Sequence, residues 1–160
     1  PLTRFVADCH LGGLARLLRM AGFDTLYRSD YGDREIATIA LHDQRIVLTR
    51  DRELLKMREI SHGCYVRALE PPRQLVEVLS RLDIAAAARP FSLCLECNLP
   101  LHEVPKDEVA ERLPPSVRAG QQHFMHCVRC DRIYWQGSHF ERMRRLLDDA
   151  LAQALRSCPD

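Results

Sequence analysis

Arg45 to Glu53 reads RIVLTRDRE, a run of apolar, β-branched residues that stops abruptly at an aspartate. Arg45 to Thr49 fits a strand buried in a parallel sheet, and Asp51 falls just past its carboxyl end, where the chain turns toward a helix. Open α/β sheets bind their ligands along that edge. Phe5, Val6 and Ala7 form a second short apolar run, which ends at Asp8. Two strands are thereby expected to bring two carboxylates to one rim.

Working outward, the chain repeats the same unit. Leu11, Leu14, Ala15, Leu17, Leu18 and Ala21 have helical spacing and stop at Gly22. Asp24 to Tyr27 suits a second strand, and Ile36, Ala37, Ile39, Ala40 and Leu41 carry a second helix from about Asp33. The spacing predicts a third helix from about Asp51 to Ile60, a fourth strand from Cys64 to Leu69, and a helix opened by Pro71-Pro72. A βαβαβαβα order implies a parallel four-stranded sheet with helices on both faces. Residues 83–92, with four alanines, Arg89 and Pro90, mark a boundary. We therefore expect domains at 1–88 and 89–160.

Composition limits what such a rim can belong to. With 160 residues and 46% hydrophobic content, the chain can bury a core and carry a small second module. A net charge of +1 gives no overall field toward nucleic acid, yet only Lys56 and Lys106 are lysines. Arginine's planar fork suits phosphates and base edges, although a coding bias would give the same composition. No stretch approaches the roughly 20 apolar residues of a membrane span, which with unpaired cysteines points to the cytoplasm. The sequence opens at Pro1 without a methionine, which suggests a preceding N-terminal domain.

Carboxylates crowded at one rim raise each other's pKa, and a divalent cation removes that cost. Magnesium or manganese would suit Asp8 and Asp51, with Asp33 and Glu35 as candidates to complete the cluster. Taken singly, Asp8, Asp33 and Asp51 also fit helix N-caps. Arg16, Arg19, Arg50 and Arg52 could line a path for an RNA backbone, or lie on a solvated surface.

The spacing Cys94-Leu-Glu-Cys97 and Cys127-Val-Arg-Cys130 is the sharpest local signal. Two such knuckles complete a tetrahedral four-thiolate site suited to structural zinc, with no open position for catalysis. The insertion between them takes its turns at Pro105 and Pro114-Pro115. Ile133 to Trp135 reads as a ribbon strand, followed by a helix from about His139 to Leu155 with Ser138 as N-cap and Glu141 as its capping-box partner. Trp135 fits the ribbon's small core, while Tyr134 and Trp135 beside Arg129 and Arg132 could stack on unpaired bases. Cys9, Cys64 and Cys158 are expected to be free thiols.

The segments FVADCHLGGLARLLRMAGFDTLY (5–27), DREIATIA (33–40) and RIVLTRDREL (45–54), with CVRC and IYWQGSH near the end, resemble the mut-seven C-terminal RNase domain family. That family is similar to PIN nucleases, whose carboxylates hold magnesium or manganese and hydrolyse RNA. The resemblance implies a PIN-like α/β domain with an appended four-cysteine zinc ribbon and terminal helix. It also implies catalytic roles for Asp8, Asp51 and either Asp33 or Glu35. PIN domains usually add an acidic residue after the next strand, where this chain has Glu70. The alternative is an RNA-binding or protein-adaptor module without catalysis.

Overall fold

The computed structural model describes residues 3–157, so Cys158 lies outside the described residues. Four strands, β1 (Phe5–Ala7), β2 (Thr25–Leu26), β3 (Ile46–Thr49) and β4 (Gly63–Tyr65), form a wholly parallel sheet in the order β2-β1-β3-β4. Between them run helices α1 (Gly12–Met20) and α2 (Asp33–Asp43), and α3 (Pro71–Arg81) follows β4. Successive side chains of a strand point to opposite faces, and each face has its own core. Phe5, Ala7, Leu48 and Cys64 pack under α1 and α3, while Val6 and Val47 pack under α2. From β1 the chain moves to β2 on one side and then returns to β3 on the other. The gap between β1 and β3 is therefore a topological switch point, where open sheets leave a crevice at their carboxyl ends.

The helix expected from about Asp51 to Ile60 is not formed. Between Asp51 and Ile60 there is one short 3-10 turn, Leu54–Lys56. The Asp51 carboxylate explains the difference, because its Oδ1 accepts the Glu53 amide at 2.9 Å and holds the chain in a turn that competes with helix. β4 is also shorter than the Cys64 to Leu69 expectation. Beyond Tyr65, side chains replace the ladder: Arg50 Nη1 donates to the carbonyls of Val66, Arg67 and Ala68, and Glu77 accepts the amides of Arg67 and Ala68.

The second half builds an antiparallel ribbon, β5 (His102–Val104), β6 (Phe124–His126) and β7 (Ile133–Tyr134), with two short helices between β5 and β6, α4 (Lys106–Val109) and α5 (Pro115–Gly120). Val109, Leu113 and Phe124 form its small core, against which Trp135 packs with its ring 6.4 Å from that of Phe124. The last helix, α6 (Ser138–Arg156), starts from Gly137 as its N-cap, so Ser138 is the first helical residue and not the cap. α6 then leaves the ribbon and buries Leu147, Ala150 and Ala154 in the core shared with α1 and α3. Fully burying one leucine there is worth about 1.5–3 kcal/mol. The alanine run makes a turn at Ala85–Ala87, after which the Arg89 and Phe91 amides bond to the Ala21 and Met20 carbonyls at the end of α1.

Candidate functional site

The two aspartates at the carboxyl ends of the central strands meet on one hydroxyl. Ala7 is in register with Leu48, and the Asp8 amide donates to the Leu48 carbonyl, so the next residue on each strand is Asp8 and Thr49. Thr49 is fully buried. Its Oγ1 donates to Asp8 Oδ2 at 2.8 Å and accepts the Asp51 backbone N–H at 2.9 Å. Asp8 is itself only 6% exposed, whereas Asp51 is open to solvent. Neither aspartate caps a helix: α1 starts from Leu11, and the turn at Leu54 starts from Glu53.

The glycine pair after Asp8 fits the crowding of this loop. A Cβ on Gly12 would lie 2.7 Å from the Tyr27 hydroxyl, and one on Gly13 would lie 2.6 Å from Pro71. Tyr27 donates to the Cys9 carbonyl at 3.0 Å, which fixes the backbone next to Asp8. The Cys9 thiol pKa is raised by its hydrogen bond to Asp8 and by burial, with a further push from the Asp33 charge. Asp33 is the exposed first residue of α2. Glu35 lines a shallow depression with Arg28, Tyr31 and Arg34. Neither caps α2, whose N-cap is Gly32. Glu70 is the exposed N-cap residue of α3. Among the described residues, no three carboxylates bring an oxygen each within 4.8 Å of one another.

The four arginines expected to contact RNA have separate fates. Arg19 is buried, and its guanidinium donates to the Thr25 and Leu95 carbonyls at 2.9 and 2.8 Å, so it joins α1 to the first cysteine knuckle and is not available to RNA. Arg50 is occupied by the three carbonyls after β4. Arg52 is exposed and lies over the Tyr65 ring at 4.5 Å. Arg16 is exposed, with a 3.5 Å pairing to Glu96.

Cys94, Cys97, Cys127 and Cys130 place their sulfurs within 4.8 Å of one another. A tetrahedral zinc with bonds of about 2.3 Å needs sulfur-to-sulfur edges of roughly 3.8 Å. Cys94 and Cys130 lie 3.7 Å apart, so the donor set fits zinc. Burial and the neighbouring thiols push Cys97 up to about 12, a cost that a cation bound by thiolates removes. Burial would also raise Cys94, but the Tyr134 hydroxyl and the Cys97 and Glu96 amides bring it down to about 7. The Tyr134 Oη lies 3.1 Å from Cys94 Sγ and orients that sulfur as an outer partner.

The knuckle is tied to the sheet by Asn98. Its Oδ1 accepts the Thr25 amide at 2.9 Å and its Nδ2 donates to Asp24, which also holds Arg45 at 2.8 Å. Burial works against the Asp24 charge, but the bonds from Arg45 and Asn98 outweigh it and keep its carboxyl below its ordinary value.

Thr49 and Asn98 were not among the residues singled out in the sequence, and Tyr134 was singled out for base stacking and not as the partner of Cys94. Thr49 carried a usable signal, since a hydroxyl residue ends an apolar strand two positions before an aspartate. Asn98 carried none apart from its nearness to the first knuckle.

No curated protein and no solved structure matches the chain. The sequence model of the Mut7-C RNAse domain family matches residues 3–147, a span that takes in both the aspartate rim and all four cysteines. The chain belongs to the Mut7-C RNAse domain family.

Proposed function

We propose that this chain is a metal-dependent ribonuclease that hydrolyses RNA phosphodiester bonds at the rim formed by Asp8 and Asp51. The observation that carries the reading is the buried Thr49 hydroxyl, bonded to Asp8 Oδ2 and to the Asp51 amide at the switch point of a parallel sheet. The one hydroxyl fixes the Asp8 carboxylate and the backbone that carries Asp51. Magnesium or manganese bound there would supply an activated water and neutralise charge on the phosphate. Thr49 fixes the Asp8 carboxylate and the Asp51 backbone, and the Glu53 amide fixes the Asp51 carboxylate, which supports the reading. Asp33 and Glu35, both in the first turn of α2, are the candidates for a third member. Arg52, braced on Tyr65, is placed to steady an RNA phosphate beside Asp51. The cysteine ribbon, with zinc bound, stiffens the module and assists RNA binding.

A second reading, RNA or protein docking without cleavage, is favoured by the absence of any close trio of carboxylates among the described residues. Incubation with single-stranded and structured RNA, with manganese or with chelator, separates the two. The nuclease reading predicts manganese-dependent cleavage that Asp8→Asn and Asp51→Asn each remove. Cleavage that survives in both variants would show that the activity lies elsewhere.

A further inference from the structure

A cavity of about 620 Å³ lies where the ribbon, the segment after the alanine run, α1 and α6 come together. Its volume falls within the roughly 300–1,000 Å³ typical of small-ligand sites. The walls are aromatic and apolar, with Phe91, Tyr134, Trp135 and Phe140 among them. Phe91 and Phe140 pack with ring centroids 4.0 Å apart and planes tilted by 40°, which stiffens one wall. The cavity's charged groups have one sign. Arg16 and Arg144 line it, as do His123 and His139, while no acidic side chain does, in a chain that has 22 acidic residues. Arg16 and Arg144 pair with Glu96 and Asp148 at 3.5 and 3.2 Å. Both pairs are solvent-exposed and worth at most about 1 kcal/mol, so a phosphate can displace them.

A flat apolar ring bearing an anion matches these walls and this rim, and an unpaired nucleotide has that chemistry. α1 begins four residues after Asp8, and Arg16 sits one helical turn further along. A strand leaving the cavity past Arg16 is thus led toward the aspartates. We propose that this cavity holds one unstacked base of the single-stranded RNA substrate, with the adjoining phosphate at Arg16 and Arg144. The assignment rests on RNA being the substrate, but it does not need the Asp8–Asp51 rim to be active. Trp135 and Phe140 supply stacking surface, which reads no particular base, so the site favours unpaired over paired RNA.

The chain has a single tryptophan, Trp135, and it lines the cavity, so base entry has its own optical readout. The whole zinc-loaded chain carrying Asp8→Asn is titrated with a short single-stranded oligoribonucleotide and with an abasic ribose-phosphate strand of equal length. Tryptophan emission and binding are followed together. The expected result is quenching by the base-bearing RNA and none by the abasic strand. Phe140→Ala should weaken the base-bearing RNA by about tenfold, the scale of one lost stacking partner. Arg144→Glu, a change at an exposed residue, should weaken both strands and keep the protein folded by circular dichroism. Equal quenching by the abasic strand would overturn the assignment, as would RNA binding without quenching, or unchanged affinity in both variants. Quenching by an apolar peptide and not by RNA would also overturn it and make the cavity a protein-docking site. Cleavage by the unmodified chain is scored separately, so base-dependent quenching without cleavage would sink the rim and leave the cavity standing.

Discussion

The aspartate rim and the cysteine cluster are built on opposite principles. The cluster is closed, with four sulfurs from two short knuckles within 4.8 Å, each knuckle folded on its own local turn. The rim is open, joined between residues 41 apart in sequence through one buried hydroxyl, and its second aspartate, Asp51, is exposed to solvent. A site that must bind one ion permanently can be compact and self-contained. A site that must admit a polymer has to leave coordination space and an approach, and it depends on strand order to exist. The difference gives the two regions separate vulnerabilities, and those can be tested one against the other.

The sharpest break is at Asp8. Asp8→Asn should lower RNA cleavage more than about 100-fold, beyond the 10–100-fold that losing an outer partner usually costs, and leave the zinc content unchanged by elemental analysis. Cys127→Ser should do the reverse first, removing zinc. Because Arg19 and Asn98 clamp that module to β2, it should also lower the melting temperature by about 10 °C, equivalent to roughly 3 kcal/mol in a chain of this size. Normal zinc content in that variant would break the comparison on the cluster side. Thr49→Val, which leaves Asp8 and the Asp51 amide without their common partner, should cut cleavage about 10–100-fold with zinc intact, and Thr49→Ser should restore it.

The smallest effect is a pH dependence. Asp24 has a folded-state pKa below its unfolded value of about 3.9. Its contribution to stability is therefore fully present above about pH 4 and is lost as pH falls through the lower folded value. The melting temperature should drop in that acid range, and less so in Asp24→Asn, as thermal scans can show. The partly exposed position of Asp24 keeps the effect modest.

Much of the α/β half was legible because buried parallel strands read as short apolar runs, as at Val6 and Val47, and the cysteine knuckles were legible from spacing alone. Where the reading failed, tertiary partners decided. Arg16 and Arg19 share a helix face in sequence, but the first knuckle covers Arg19 and leaves Arg16 exposed. Leu54, Leu55 and Met57 suggested a helix, yet the Asp51 carboxylate takes the Glu53 amide and holds a turn. Leu147, Ala150 and Ala154 mark an apolar stripe on the last helix, but nothing in their spacing names α3 as a neighbour in the core. At the rim, the two aspartates were readable as strand-end residues. The hydroxyl that joins them was not, because register between β1 and β3 is a property of the folded sheet.

The most direct test is a crystal of the zinc-loaded protein soaked in manganese and measured by anomalous scattering. The account predicts a manganese peak bonded to carboxylate oxygens of Asp8 and Asp51 at about 2.1–2.3 Å, with Asp33 or Glu35 completing the set. A saturating soak that leaves those two carboxylates without a peak, or places the ion at other residues, would contradict it.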